Sequence, residues 1–118
     1  MRGEQVFSDL FNNGHGFFQT PYKAYWSKIA GTFPFSSRFA VSVPKRLFKR
    51  AVKRNLLKRR TRESFRTNKQ ILNAAVNDGG QVHLLVIYTS AKLLPSTELE
   101  EAMKKILQHI AQQYAKSA

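Results

Sequence analysis

A dense block of positive charge between residues 45 and 66 restricts the folds open to this chain. Within these 22 residues, eleven side chains are Lys or Arg and only Glu63 is acidic. The other 96 residues carry nine basic and six acidic side chains, so most of the net charge of +13 lies in the block. Because like charges at this density repel one another, the fold must hold the block at the surface, open to counter-anions.

The block is predicted to form a long helix that follows Pro44. At about 100° per residue, one stripe of this helix contains Leu57, Thr61, Ser64 and Phe65, the side expected to pack on the rest of the chain. The opposite side presents a row of polar and charged residues: Asn55, Arg59, Arg62 and Arg66. Since the planar guanidinium group suits phosphate well, the row predicts contact with a nucleic-acid backbone. A solvated basic face is the simplest alternative; an anionic membrane is disfavoured because the apolar stripe is narrow and half-polar.

Composition indicates one small folded domain. The chain has 118 residues, 42% of them hydrophobic and nine of them Phe, which is enough for a single core over residues 1–118 and excludes a disordered basic tail. The absence of cysteine excludes disulfides, thiolate metal sites and a cysteine nucleophile, and it favours a cytoplasmic protein. No apolar segment resembles a signal peptide or approaches the roughly 20 residues of a membrane span.

Hydrophobic periodicity predicts a mixture of helices and strands. Helices are expected at residues 4–13, in the basic block, at 69–76 and from a capping box at Thr97 and Glu100 onward. Strands are expected at 22–29, 38–43 and 82–88, with a loop at 15–21 and a hairpin loop at 30–34. The uninterrupted apolar run at 82–88 is typical of a central strand covered on both faces. These elements predict an α+β fold, a two-layer α/β sandwich.

Aromatic residues crowd the first 26 positions and suggest a second surface. In a strand, Tyr22 and Tyr25 must point to opposite faces because their spacing is odd. Aromatic side chains that face a groove can stack on unpaired bases. Most of them are nevertheless expected to be core residues, so this signal is weaker than the charge block.

Residues 49–66, KRAVKRNLLKRRTRESFR, closely resemble the signature helix of the protein subunit of bacterial ribonuclease P. The run into that helix, FAVSVPKR at 39–46, and the segment FSDLFNNG at 7–14 also resemble the family, as do the last strand and helix. The resemblance covers nearly the whole chain in order. It implies a mixed sheet of about four strands with a left-handed βαβ crossover, of the kind seen in the second domain of ribosomal protein S5.

The resemblance also implies a function and two RNA surfaces. The protein would bind the catalytic RNA subunit and the 5′ leader of precursor tRNA, and it would assist endonucleolytic removal of the leader. The residues implied to contact RNA are Lys45, Arg46, Arg50, Lys53, Arg54, Asn55, Lys58, Arg59, Arg62 and Arg66. The residues implied to line the leader cleft are Phe7, Phe11, Tyr22 and Tyr25. The chain departs from the family's Arg-Asn-Arg at Leu56, and Arg60 is expected to supply charge on a neighbouring face.

The number and positions of the acidic and histidine residues argue against catalysis by the protein's own side chains. A metal-dependent nuclease needs converging carboxylates, and of the seven acidic residues three lie at the start of the last helix. The three histidines fall in a loop, a strand and a polar helix face, so no acid–base pair is expected. No catalytic or metal-binding residue is therefore expected, nor is a membrane or an obligate protein partner. The resemblance implies Mg²⁺ held mainly by the RNA. The alternative function is that of a structural ribosomal or general RNA-binding protein without an enzyme partner.

Overall fold

The structure is a computed structural model, and it describes residues 15–76 and 79–116. Its elements in chain order are β1 (His15–Gln19), β2 (Tyr22–Ile29), β3 (Ser37–Ser42), α1 (Ala51–Asn68), α2 (Gln70–Ala75), β4 (Gln81–Tyr88) and α3 (Ser96–Lys116). The predicted strands at 22–29 and 82–88 and the helices of the basic block, of 69–76 and of the C-terminal region are confirmed. The predicted helix at 4–13 lies outside the described residues.

The four strands form one mixed sheet in the order β1-β2-β4-β3. Strand β4 pairs antiparallel with β2, from Tyr22 opposite Tyr88 to Ile29 opposite Gln81, and parallel with β3. The parallel pair is connected through α1 and α2, which together form the crossover. The central place predicted for β4 is confirmed, and its apolar sequence suits a strand that is paired along both edges.

The hydrophobic core lies between one face of the sheet and the helices. Alternate residues of β4 point into it, namely Val82, Leu84, Val86 and Tyr88, all fully buried. Helix α3 covers them with its buried side, which comprises Leu99, Ala102, Met103, Ile106, Leu107, Ile110 and Tyr114. The basic helix α1 adds Leu57 and Phe65, and the Phe65 ring stacks on Phe39 of β3 with centroids 4.2 Å apart.

Three local predictions are wrong. Residues 15–19, expected in a loop, form β1, because Phe17 packs on the His109 ring of α3 and the strand pairs with β2. Residues 30–34 do not form a hairpin loop, because β4 lies between β2 and β3. Thr97 is not the cap of α3, since the helix begins at Ser96 and the amides of Glu98 and Leu99 donate to the Pro95 carbonyl.

Candidate nucleic-acid interface

Helix α1 separates its apolar and cationic sides as the sequence predicts. The stripe formed by Leu57, Thr61, Ser64 and Phe65 is buried against the sheet and α3. The row formed by Asn55, Arg59, Arg62 and Arg66 is exposed along its whole length. The helix is therefore held by one side and leaves a line of guanidinium groups for a polyanion to contact.

The remaining predicted RNA contacts extend this surface toward the start of α1. Lys45, Arg46 and Arg50 are exposed in the segment between β3 and the helix, outside the helix in which the sequence analysis placed them. Lys53 is exposed on the first turn, and Lys58 is half-buried. The basic surface thus consists of a cationic turn followed by a cationic helix.

Arg54 has a structural role in the turn that precedes α1. Its guanidinium Nη1 donates to the carbonyls of Phe48 and Lys49, at 2.8 and 2.9 Å. Residue Arg50, at the N-cap, supplies no side-chain cap, so these bonds fix the turn that enters α1. Arg54 therefore positions the cationic turn from a half-buried side chain, and its guanidinium carries more N–H donors than these two bonds use.

The last guanidinium of the row is paired within the helix. Arg66 Nε donates to the Glu63 carboxylate at 3.0 Å, and this pairing lowers the pKa of Glu63 below its ordinary value. Both side chains are well exposed, so the pair contributes little to folding. Phosphate can displace Glu63 from Arg66 at small cost, whereas Arg59 and Arg62 need no such exchange because neither has a carboxylate partner among the described residues.

Arg60 lies on a neighbouring face, as predicted, and bridges α1 to the segment before α3. Its Nη1 donates to the Leu94 carbonyl at 3.0 Å. Together with Leu56 it lines a groove of about 530 Å³ between α1 and the start of α3. Leu56, where the family pattern has Arg, is half-buried on that groove side and adds no charge to the exposed row.

The prediction that Tyr22 lines a cleft needs correction. Tyr22 is fully buried on the helix side of the sheet, and its hydroxyl is hydrogen-bonded to that of Thr61 at 2.7 Å. Burial raises the pKa of Tyr22 to about 12. The reason is strand parity: Tyr22, Ala24 and Trp26 all point into the core, so only the other face of β2 can meet a ligand.

Tyr25 lies on that other face, which points away from the helices that the structure describes and which we call the open face of the sheet. Its Cα partners are Gly16 on β1 and Leu85 on β4. The Tyr25 ring lies over Gly16 of β1. A Cβ atom at Gly16, which glycine lacks, would be only 3.1 Å from a carbon of this ring. The Lys23 ammonium lies 5.8 Å from the same ring. The other two predicted cleft residues, Phe7 and Phe11, lie outside the described residues.

The open face contains further residues that the sequence analysis missed. Phe18 on β1 is 58% exposed and is paired with Lys23. Arg38 on β3 is paired with His83, and burial together with the Arg38 charge lowers the pKa of His83. The face thus combines aromatic rings with the cations of Lys23 and Arg38. Strand alternation through residues 15–19 would have found Phe18, had that segment not been assigned to a loop.

The described residues contain no group of three or more acidic or histidine side chains arranged to hold a metal ion. Among the same residues, no helix is long and apolar enough to cross a membrane.

Comparison with known proteins identifies the family. The family model described as Ribonuclease P matches residues 1–111. The "Ribonuclease P protein component" of Porphyromonas gingivalis is 33% identical over 111 residues, which cover 92% of this chain and 80% of that protein. The fold is similar to that of the RNase P protein from Thermotoga maritima, with TM-score 0.72, 22% identity, and coverage of 92% of this chain and 94% of the other. It is also similar to the Staphylococcus aureus RNase P protein, with TM-score 0.65, 21% identity and coverage of 90% and 89%. The chain belongs to the ribonuclease P protein family.

Proposed function

We propose that this chain, as a protein component of ribonuclease P, uses two separate surfaces for two RNA partners. The cationic turn and exposed row of α1 bind the catalytic RNA subunit, and the open face of the sheet binds the single-stranded 5′ leader of precursor tRNA. The observation that carries the proposal is the division of α1 into a buried stripe and an exposed guanidinium row. The complex of this chain with the RNA subunit removes the leader by phosphodiester hydrolysis in tRNA processing, and this complex acts in the cytoplasm.

The row on α1 suits the RNA subunit because it is long, cationic and repetitive. Phosphates follow one another regularly along an RNA backbone, and a straight helix with Arg59 and Arg62 one turn apart can neutralise several of them. Such contacts position a large structured RNA without selecting its sequence. Asn55 is the only member of the row whose side chain can both donate to and accept from a base edge.

The open face suits a single strand because it combines rings with isolated cations. Phe18 and Tyr25 provide flat apolar surfaces, and Lys23 and Arg38 are placed to neutralise phosphates. Aromatic stacking tolerates any base, which a leader of variable sequence requires. Double-stranded RNA offers no unstacked bases, so this face favours the leader over the folded body of the tRNA.

The protein's contribution to the reaction is electrostatic and positional. Magnesium ions would be held mainly by the RNA rather than by this chain, and when bound they would supply an activated water and stabilise the leaving oxygen. The exposed guanidinium groups lower the repulsion between RNA subunit and substrate, and the leader bound to the open face orients the cleavage site. No side chain of this chain is assigned a catalytic role.

Replacing Arg59 or Arg62 by Ala tests the first surface. Each substitution is expected to weaken binding to a bacterial ribonuclease P RNA and to reduce the steepness of its salt dependence by about one unit of slope. Because both side chains are exposed, the free energy of unfolding should change by no more than about 0.5 kcal/mol. Filter binding at several salt concentrations and thermal unfolding measure the two quantities.

The matched control is Lys105→Ala, which removes one exposed positive charge from α3, outside the block. It should leave RNA affinity unchanged. Equal effects of Lys105→Ala and Arg59→Ala would mean that only net charge matters, and the assignment of the interface to α1 would fail.

Tyr25→Ala tests the second surface. Loss of stacking is expected to cost about 1–3 kcal/mol in the binding of precursor tRNA with a 5′ leader by the assembled enzyme. Binding of mature tRNA, which lacks the leader, and affinity for the RNA subunit should hardly change. Tyr25→Phe keeps the ring and should bind precursor normally. Equal weakening of precursor and mature tRNA binding by Tyr25→Ala would contradict the leader assignment.

A further inference from the structure

The exposed polar row of α1 continues past the end of the helix. Lys69 and Asn73 follow Asn55 by 14 and 18 positions, which extends the spacing of the row into α2. Lys69 has helical dihedral angles, so the helical path is nearly continuous across the junction. Both side chains are exposed. The polar surface of α1 therefore extends along α2 toward the edge of the sheet formed by β3.

An aromatic side chain stands beside this extension. Phe35, in the segment between β2 and β3, is 70% exposed, the highest value for any Phe, Tyr or Trp among the described residues. It lines a cavity of about 300 Å³ together with Lys69, Asn73 and Phe65. This volume lies at the lower end of the range found for small-ligand pockets.

A single exposed Phe is common on protein surfaces, but the backbone of this one is fixed on both sides. The Phe33 amide donates to the Gly79 carbonyl at 3.0 Å, and the Val82 amide donates to the Ser36 carbonyl at 2.9 Å. The Phe35 carbonyl itself accepts from the side-chain amide of Gln81, which is buried. A ring on a fixed backbone loses little conformational entropy when a ligand stacks on it.

We propose that Phe35, Lys69 and Asn73 form a binding site for one unpaired nucleotide of the ribonuclease P RNA. The base stacks on the Phe35 ring, the Lys69 ammonium neutralises a phosphate, and the Asn73 amide pairs with a base edge. The inference rests on the proposed function, since it extends the α1 surface assigned to the RNA subunit. It adds a contact to an unstacked base at the end of a surface that otherwise contacts phosphates.

Phe35→Ala tests the site directly. Affinity for the ribonuclease P RNA, measured without substrate, should fall roughly 5- to 150-fold, the range that corresponds to loss of one stacked base. Its salt dependence should not change because no charge is removed. Lys69→Ala should instead reduce the slope of the salt dependence by about one. Leu93→Ala is the matched control, because it removes an exposed apolar side chain in the segment between β4 and α3, outside both proposed RNA surfaces, and should leave this affinity unchanged.

A second variant provides a direct signal for stacking. In Phe35→Trp, the new indole should stack on the base, so affinity for the ribonuclease P RNA should be retained. The fluorescence of this indole should be quenched when the RNA binds. The natural chain is the reference, since its single Trp26 is 3% exposed and should respond little. This measurement remains decisive even if Phe35→Ala lowers stability.

Unchanged RNA affinity in Phe35→Ala, or no quenching of the Trp fluorescence in Phe35→Trp, would overturn the proposed nucleotide site. The α1 interface would still be supported if Arg62→Ala weakened RNA binding. A loss confined to the binding of precursor tRNA by the assembled enzyme would overturn the assignment to the RNA subunit. If the unaltered chain showed no salt-dependent affinity for the RNA, the proposed function itself would fail.

Discussion

Affinity for ribonuclease P RNA is expected to fall about a thousandfold when monovalent salt rises from roughly 50 to 200 mM. The physical reason is counterion release: if the exposed surface neutralises about six phosphates, log K falls with log salt at a slope near −5. Six contacts are available from exposed cations of the cationic turn and of α1, without Arg54 or the paired Arg66: Lys45, Arg46, Arg50, Lys53, Arg59 and Arg62.

Filter binding or fluorescence titration across this salt range measures the slope. The control is the double variant Arg59→Ala with Arg62→Ala, whose slope should be shallower by about two units. A slope for the unaltered chain shallower than about −2 would contradict binding through this surface.

Phe65→Ala is expected to destabilise the fold by about 3–5 kcal/mol. Phe65 joins the basic helix to the sheet, since it is 9% exposed and its ring is nearly parallel to that of Phe39, at an interplanar angle of 7°. Truncation removes that stacking and leaves a cavity under the helix. Denaturant unfolding of the purified protein measures the loss.

Arg62→Ala, three residues away in the exposed row of the same helix, is the matched control and should unfold almost as the natural chain does. Large destabilisation by Arg62→Ala with little by Phe65→Ala would mean that the two sides of α1 are assigned in reverse.

The sequence predicted the elements whose periodicity is strong. Hydrophobic periodicity was sufficient to predict the helix α3. In α1, the angle around the helix axis was sufficient to predict that Phe65 is buried and Arg62 is exposed. The parity of β2 correctly separated Tyr22 from Tyr25. The resemblance assigned Tyr22 to the cleft all the same, and its full burial contradicts that assignment.

Features that depend on contacts distant in sequence were not predictable in this way. The assignment of β1 to a strand depends on pairing with β2 and on packing of Phe17 against His109, neither of which a local pattern reveals. The same holds for the insertion of β4 between β2 and β3. The hydrogen bonds from Arg54 to backbone carbonyls of the preceding turn depend on the geometry of that turn, so Arg54 could not be distinguished in sequence from its solvent-exposed neighbours.

The central claim is that this chain assists leader removal by binding both the RNA subunit and the leader. The most direct test is to combine the purified chain with a bacterial ribonuclease P RNA and a precursor tRNA that has a 5′ leader. The magnesium concentration is chosen so low that the RNA alone leaves the precursor uncut. We expect cleavage at the leader junction only when protein and RNA are both present, with slower cleavage when the protein contains Arg59→Ala and Arg62→Ala. Cleavage by the protein without RNA, or no acceleration on adding the protein, would contradict it.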